Sequence, residues 1–379
     1  MRFDESDEIR ALRAQLREII DRTVDAAALD AAHETGTNVC PALYRAMGEA
    51  GLIGRAISGV GTGGPLELFT ITHELEKAAA PYDAVAMVIS LAAVVARTAS
   101  EELRAEVMPR LVSGESLVCL GLTEPDAGSD LANVKCRAIR DGDHWILRGA
   151  KVWTTMAHVA DWCFVLARTD EGDEVRAGYT TFLVPMDRPG LRIEPIWTLS
   201  TERSNSLFLD DVRVPSRYVL GEPGGGWRTL SVMLTFERGM GNVGFGIPML
   251  RRFAAWARES GAIRDPLVRD RMARTAIDNE VARLLTQHAV WKAAKGKLGG
   301  AEGSIAKVFA TEAYQRASQE LQAIAGPEGL LGFHEPGAAA HGWIDYDARH
   351  SIPQTLQGGT SEINRNTIAE RHFGLPRTR

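Results

Sequence analysis

The stretch Leu120-Gly121-Leu122-Thr123-Glu124-Pro125-Asp126-Ala127-Gly128-Ser129-Asp130 stands where helical periodicity stops and strand-like runs begin. Its middle cannot be regular structure. Pro125 removes an amide donor and restrains Glu124, and Gly128 permits backbone angles closed to other residues. What remains is a tight polar turn, with the Thr123 and Ser129 hydroxyls and free amides suited to a ligand bearing carbonyls or phosphates. Local chemistry alone leaves a second reading open, a turn at a domain junction.

Upstream of the turn, Ile9, Leu12, Leu16 and Ile19 recur at helical spacing. Pro41 suits a first helical turn and Gly51 follows the last apolar residues of that segment. The run Ala84 to Ala96 is apolar on nearly every face but shorter than the ~20 residues that span a bilayer, so it reads as a buried helix. Ser100 before Glu101 and Glu102 is an N-cap, and Gly114 ends that helix.

Downstream the period changes. Trp145–Leu147, Trp162–Leu166, Tyr179–Val184 and Leu207–Leu209 are strand-like runs, separated by turns at 141–143, 170–173 and 188–190. They predict a small β-domain, a barrel or a pair of sheets. Gly221–Gly226 lacks the dinucleotide fingerprint and the phosphate-loop lysine, and reads as a linker. Helical pattern then returns. Asp265-Pro266 opens a long helix with Ala273, Ile277, Val281, Leu284, His288 and Trp291 on one face, which makes His288 a packed core or interface residue. Ser304 starts another helix, with Ile305, Phe309, Ala313, Ala317 and Leu321 inward. The expected architecture is α+β: a helical domain over 1–117, a β-domain over 118–222 and a helical bundle over 223–379.

A 379-residue chain with 45% hydrophobic and 24% charged residues is an ordinary globular composition. The net charge of −6 argues against nucleic acid as a partner. Cys40, Cys119, Cys136 and Cys163 lack metal-ligand spacing and read as reduced, buried thiols. With no signal-peptide character in Met1–Glu5, a cytoplasmic enzyme with no membrane span and no metal is expected.

Two further stretches stand in order behind the first: Lys151-Val152-Trp153-Thr154-Thr155, and Gln357-Gly358-Gly359-Thr360-Ser361-Glu362-Ile363-Asn364-Arg365. Together with Leu122–Asp130 they resemble the signatures of the acyl-CoA dehydrogenase family, and the resemblance runs from the first helix to Arg371. It implies an N-terminal α-domain, a middle β-domain, a C-terminal four-helix bundle, and FAD held between the last two. By motif, Leu120, Leu122 and Thr123 are implied to line the flavin ring, and Gly128 and Ser129 to meet the pyrophosphate. Trp153 is implied to pack on the isoalloxazine, with the Thr155 hydroxyl near N5. Thr360 and Glu362 open a helix whose free amides would favour the phosphate or ribose end. Arg258, Gln322 and Gly326 match segments that reach a neighbouring subunit's FAD. Both segments depart from the family pattern: Arg258-Glu259-Ser260-Gly261 lacks a phenylalanine, and Pro327 and Glu328 intrude after Gly326.

The chemistry that the resemblance implies is removal of a proton α to a thioester and transfer of the β-hydrogen as hydride to flavin N5. It needs a desolvated base and a polarised carbonyl. Most relatives carry a glutamate directly before the Gly-Thr of the C-terminal motif, whereas this chain has Gly358 there. A subset, including isovaleryl-CoA and long-chain enzymes, places it on a bundle helix before an arginine. Leu234-Thr235-Phe236-Glu237-Arg238-Gly239 occupies that point, which makes Glu237 the candidate base. Ser129, Arg238, Gly358 and Gly359 are the implied substrate contacts, and Gly239, Gly241 and Gly244 either open the acyl pocket or pack helices closely. The implied partners are an acyl-CoA, an electron-transfer flavoprotein and further subunits, as a homo-oligomer (dimer or tetramer) or a heteromer. A flavin monooxygenase on the same fold and a companion subunit of a heteromeric dehydrogenase are the competing readings.

Overall fold

The computed structural model describes residues 5–57, 64–169, 178–240, 244–296 and 300–377, without the side chains of 235–240. The chain opens on seven described helices: α1 (Asp7–Thr23), α2 (Ala26–Thr35), α3 (Pro41–Glu49), α4 (Leu52–Ala56), α5 (Pro65–Ala78), α6 (Asp83–Thr98) and α7 (Glu101–Val112). Their limits follow the local signals. Ser100 Oγ accepts the Leu103 amide at 3.2 Å to cap α7, and Pro41 takes the first turn of α3. The helix α6 is the hub. Val85, Val88, Ile89, Leu91, Val94 and Val95 are all buried, and α6 packs on α4, α7 and the first strand of the sheet. Truncating Ile89 or Leu91 to alanine costs about 2–5 kcal/mol.

The middle of the chain forms β1 (Val118–Gly121), β2 (Arg137–Asp141), β3 (His144–Lys151), β4 (Trp162–Arg168), β5 (Tyr179–Pro185), β6 (Leu191–Trp197), β7 (Arg203–Pro215) and β8 (Val219–Leu220). Hydrogen bonding joins them in one sheet, in the order β6-β7-β3-β2-β4-β5-β8 with β1 parallel to β4, rather than in a pair of sheets. The four strands found by pattern are present, as parts of β3, β4, β5 and β7. Of the other strands, β1 and β8 are apolar but only four and two residues long, β2 is mostly polar, and Pro195 interrupts the alternation of β6. The strand β6 is an exposed edge that includes Pro195, a residue confined to such positions.

The C-terminal part comprises α8 (Gly226–Met240), α9 (Gly246–Glu259), α10 (Pro266–Ala294), α11 (Glu302–Ala325), α12 (Trp343–Gln354) and α13 (Ser361–Arg371). Asp265 Oδ1 caps α10 by accepting the Leu267 amide at 2.8 Å. The pairs Arg271–Glu320 and Asp278–Arg316, each at 3.5 Å, show α10 and α11 running antiparallel. One expectation fails here. The residues of α10 that turn inward are Val268, Thr275, Ala282, Thr286 and Val290. Ala273 and His288 are exposed, Ile277 is 62% exposed, and Val281, Leu284 and Trp291 are half-buried. The ion pairs to α11 and the close Ala282–Ala310 contact set the helix rotation. His288 is therefore not a core residue; its ring lies 6.3 Å from that of Trp291 on the outside of the helix. In α11, Ala313, Ala317 and Leu321 are buried as expected, with Ile305 and Phe309 half-buried.

The four cysteines are buried and unpaired. Among the described residues no helix is long and apolar enough to cross a membrane.

Candidate active site

The turn after β1 closes on itself. Glu124 and Ala127 exchange backbone hydrogen bonds of 3.0 and 3.1 Å around Pro125 and Asp126. This turns the Glu124 side chain inward. Its carboxylate accepts the amides of Lys135 at 2.6 Å and Cys136 at 2.9 Å, and meets Lys151 Nζ at 2.7 Å. Lys151, at the end of β3, has 0% side-chain exposure against 6% for Glu124, and it also donates to Leu166 O at 2.7 Å and Leu122 O at 3.3 Å. Val152 N donates to Thr123 O at 2.9 Å. The first two signature stretches are thus one unit, clamped by a buried ion pair. Removing one partner of such a pair leaves an uncompensated charge and costs about 3–5 kcal/mol.

Just past that clamp the chain departs from regular geometry. Trp153 adopts φ 58°, in the left-handed region where a bulky side chain is strained, and is 57% exposed. It is therefore not a strand-core aromatic. Thr154 behind it is buried. Its amide donates to Asn205 O at 3.0 Å and its carbonyl accepts Asn205 Nδ2 at 2.9 Å, while its Oγ1 has no partner among the described residues. Asn205 also meets His158 Nδ1 at 3.2 Å, and His158 Nε2 meets Thr37 Oγ1 at 2.9 Å, which ties this corner to the N-terminal helices. Burial, helped by the Arg203 charge, lowers the His158 pKa.

The half-buried Thr123 and Thr155 stand on either side of this corner. Among the described residues nothing accepts the Thr123 N–H, and neither hydroxyl has a hydrogen-bond partner. Leu120 and Leu122 are half-buried against the core. Gly128 corrects an expectation: its φ is not in the left-handed region, and a Cβ there would meet nothing within 4 Å. No feature of the chain itself demands glycine, so the open approach beside exposed Ser129 is what the residue provides.

The third stretch is built differently. Gly358 and Gly359 take φ 64° and 88°, angles that glycine alone adopts freely. Lys307 Nζ and Asn364 Nδ2 each donate to Gly359 O at 2.8 Å. The expected free amides at the start of α13 are largely used. Thr360 Oγ1 accepts Ile363 N at 3.2 Å, and Ser361 N donates to Thr355 O at 3.0 Å; Glu362 is exposed. The helix caps itself, so the anion-binding character expected of Thr360 is mostly spent.

Sequence reasoning missed a polar line leading away from this turn. Gln357 Nε2 donates to Gln354 Oε1 at 2.6 Å, Gln354 Nε2 meets His350 Nε2 at 3.0 Å, and His350 pairs with Glu202 at 3.1 Å. Tyr314 OH donates to Asp347 Oδ1 at 2.9 Å, and Arg252 lies 3.4 Å from the Trp343 ring centroid. Burial, then the nearby Glu202 charge, pushes the Asp83 carboxyl up to about 7. Burial pulls His350 down, but Glu202, Asp347 and Asp83 outweigh it and leave its pKa raised. Burial, then Arg252, lowers His33 to about 4. Apart from Gln357, which opens the third stretch, none of these residues lies in a recognisable motif; only their convergence in space reveals them.

Other expected residues are not gathered into this site. Arg258 is exposed on α9 and donates to Ala254 O of its own helix at 3.3 Å. Gln322 Nε2 donates to Gly329 O at 3.0 Å, and Gly326 has φ 63° with open space around its Cα. Glu237 and Arg238 lie on α8, but their side chains fall outside the described residues, as do residues 241–243 altogether. Gly244 is a close-approach position: its amide donates to Glu76 Oε2 at 2.8 Å, and a Cβ there would come within 2.4 Å of Glu76.

Three family descriptions match the chain in succession: acyl-CoA dehydrogenase N-terminal domain over residues 6–115, middle domain over 119–212 and C-terminal domain over 224–373. The chain belongs to the acyl-CoA dehydrogenase family, and it is an oxidoreductase of that class. It is similar to the acyl-CoA dehydrogenase IpdE1 of Mycobacterium tuberculosis, with 36% identity across 71% of this chain and 70% of the relative. Among solved structures it is similar to one titled Tcur3481-Tcur3483 steroid ACAD, with a TM-score of 0.91, 29% identity and full coverage of both chains. The ChsE4-ChsE5 complex from Mycobacterium tuberculosis follows, with a TM-score of 0.87, 27% identity and full coverage of both chains.

Proposed function

We propose that the chain holds FAD at the corner built by Leu120–Ser129 and Val152–Thr155 and catalyses α,β-dehydrogenation of an acyl-CoA. The observation that carries this reading is Trp153, a strained and exposed indole between two threonines with unused hydrogen-bonding groups. Strain of this kind persists where the surroundings enforce it and clusters at functional sites. A planar ring stacked on the indole would bury it, while the Thr123 N–H, the two hydroxyls and the open approach at Gly128 suit the ring's polar edge and a pyrophosphate. FAD would supply the hydride acceptor. The chain's own residues would hold the ring and orient the thioester beside Gly358 and Gly359.

For the base we propose Glu237. Between Gln354 and Thr360 there is no carboxylate, so the usual position is silent here. Glu237 precedes an arginine on the first bundle helix, and a carboxylate there would serve the same proton if it faced the turn. We further propose a bulky acyl group, because a neighbour of high overall similarity is titled a steroid enzyme. Electrons would leave through an electron-transfer flavoprotein in the cytoplasm. Anaerobic addition of an acyl-CoA panel to the purified protein tests the whole reading. Bleaching of the flavin absorbance, strongest with bulky chains, is the expected result, and oxygen-dependent product without bleaching would identify a monooxygenase.

A second reading is that the chain works as one half of a heteromeric dehydrogenase rather than a homo-oligomer. The side chains expected to reach a neighbour's FAD are engaged within their own chain, Gln322 with Gly329 and Arg258 with Ala254. A neighbour titled as a two-component complex is in keeping with this. Flavin content per chain of the protein purified alone separates the two: near-stoichiometric flavin supports the homo-oligomer, and little or none supports the heteromer.

A further inference from the structure

We propose that the buried Glu124–Lys151 pair is an electrostatic positioning device that tunes the flavin through the Leu122–Thr123 peptide. The inference rests on the FAD reading above. Lys151 Nζ donates to Leu122 O at 3.3 Å from the interior of the domain. A trans peptide points its carbonyl and the following N–H in opposite directions, so holding Leu122 O inward aims the Thr123 N–H outward. That N–H has no acceptor among the described residues. The next peptide is pinned as well, because Thr123 O accepts Val152 N at 2.9 Å.

An ammonium bonded to a carbonyl polarises the peptide and strengthens its N–H as a donor, by an amount that grows where the dielectric is low. Lys151 and Glu124 lie where the dielectric is low, with 0% and 6% side-chain exposure. Two-electron reduction by substrate hydride leaves negative charge on the flavin ring, so a stronger donor favours the reduced form over the oxidised one. The carboxylate of Glu124 opposes that effect while holding the ammonium in place. The two members of the pair therefore act with opposite sign on the flavin, whereas a purely structural clamp would act with one sign or none.

The test is reductive potentiometry of the flavin-loaded protein with three forms: parent, Lys151→Met and Glu124→Gln. Lys151→Met is expected to disfavour the reduced flavin at least ~10-fold relative to the oxidised form, a fall of about 30 mV for a two-electron couple. Glu124→Gln keeps Oε1, the acceptor of Lys151 Nζ and of the Cys136 amide, gives up the acceptor of the Lys135 amide, and leaves the ammonium uncompensated, so its potential is expected to rise. Potentials that stay put, or move together, overturn the proposal. Where Lys151→Met does not fold, Glu124→Gln decides alone: a rise supports the proposal, while no change or a fall overturns it. Parent protein that takes up no FAD in a binding titration fails the functional reading itself, and the inference goes with it. Parent protein that binds FAD with unshifted variant potentials fails only the inference.

Discussion

The corner at Glu124–Lys151 and the turn at Gly358–Gly359 are assembled on opposite principles. The first is locked by a buried charge pair with its remaining hydrogen-bonding capacity filled by backbone groups. The second is held by a side-chain amide and an ammonium on one carbonyl, and continues into a line of amides and an imidazole. The difference teaches where each region can vary. A buried pair tolerates no single change cheaply, which suits a corner that must keep its shape for a cofactor. A glycine turn carries no reacting group of its own, so under the proposed reading the base would have to come from another element.

The largest expected effect tests that division of labour. Glu237→Gln should retain flavin yet slow its anaerobic reduction by acyl-CoA by ~10²–10⁴-fold, the range for a general base. Stopped-flow absorbance reads this directly, and a rate near that of the parent would remove Glu237 from the chemistry. Next is the corner's exposed ring. Trp153→Ala should weaken flavin binding ~10–100-fold by removing a stacking partner of large area, measured by titration of the flavin-free protein. Unchanged affinity would send the cofactor elsewhere.

A smaller effect belongs to the turn. Gly359 sits at φ 88°, and an added Cβ would lie 3.2 Å from Asn364 Nδ2, so Gly359→Ala should cost about 1–2 kcal/mol in thermal unfolding. A variant as stable as the parent would show that the turn relaxes easily.

The smallest effect concerns pH. Asp83, raised to about 7, faces Asn38, Glu202 and His350. The folded chain holds a proton there that the unfolded chain releases, so this contribution to stability is present below about pH 4 and lost as pH rises through about 7. The raised His350 acts in the same direction on its own alkaline side. Asp83→Asn stays neutral throughout. Its melting temperature should match that of the parent near pH 4 and exceed it by a few degrees at about pH 8. A pH-independent difference would detach Asp83 from the cluster.

Much of the fold was legible in the chain because its signals are local. Ser100, Pro41 and Asp265-Pro266 act on their own first turns, and α6 is apolar wherever it is turned. The strand β6 was not legible, because its Leu191-Arg192-Ile193-Glu194 alternation is only four residues long before Pro195 interrupts it. The core reading of the α10 stripe failed because periodicity reports that a stripe exists and not what covers it. Small residues at Ala282 and Ala310 let α11 approach on the other side. Gly128 was assigned a backbone role its φ does not require, since a residue type cannot reveal whether its benefit is conformation or space.

By itself, then, the sequence determined the order of helices and sheet, the three signature stretches and the missing carboxylate at Gly358, all properties of residues and their neighbours along the chain. Tertiary structure alone decided that Glu124 meets Lys151, that Gln357 leads to His350 and Glu202, and that Trp153 stands exposed in a strained backbone. The Glu124–Lys151 and His350–Glu202 pairs join residues far apart in the chain. Their geometry depends on which carbonyls and amides the sheet has already used, a quantity defined only once the strands have paired.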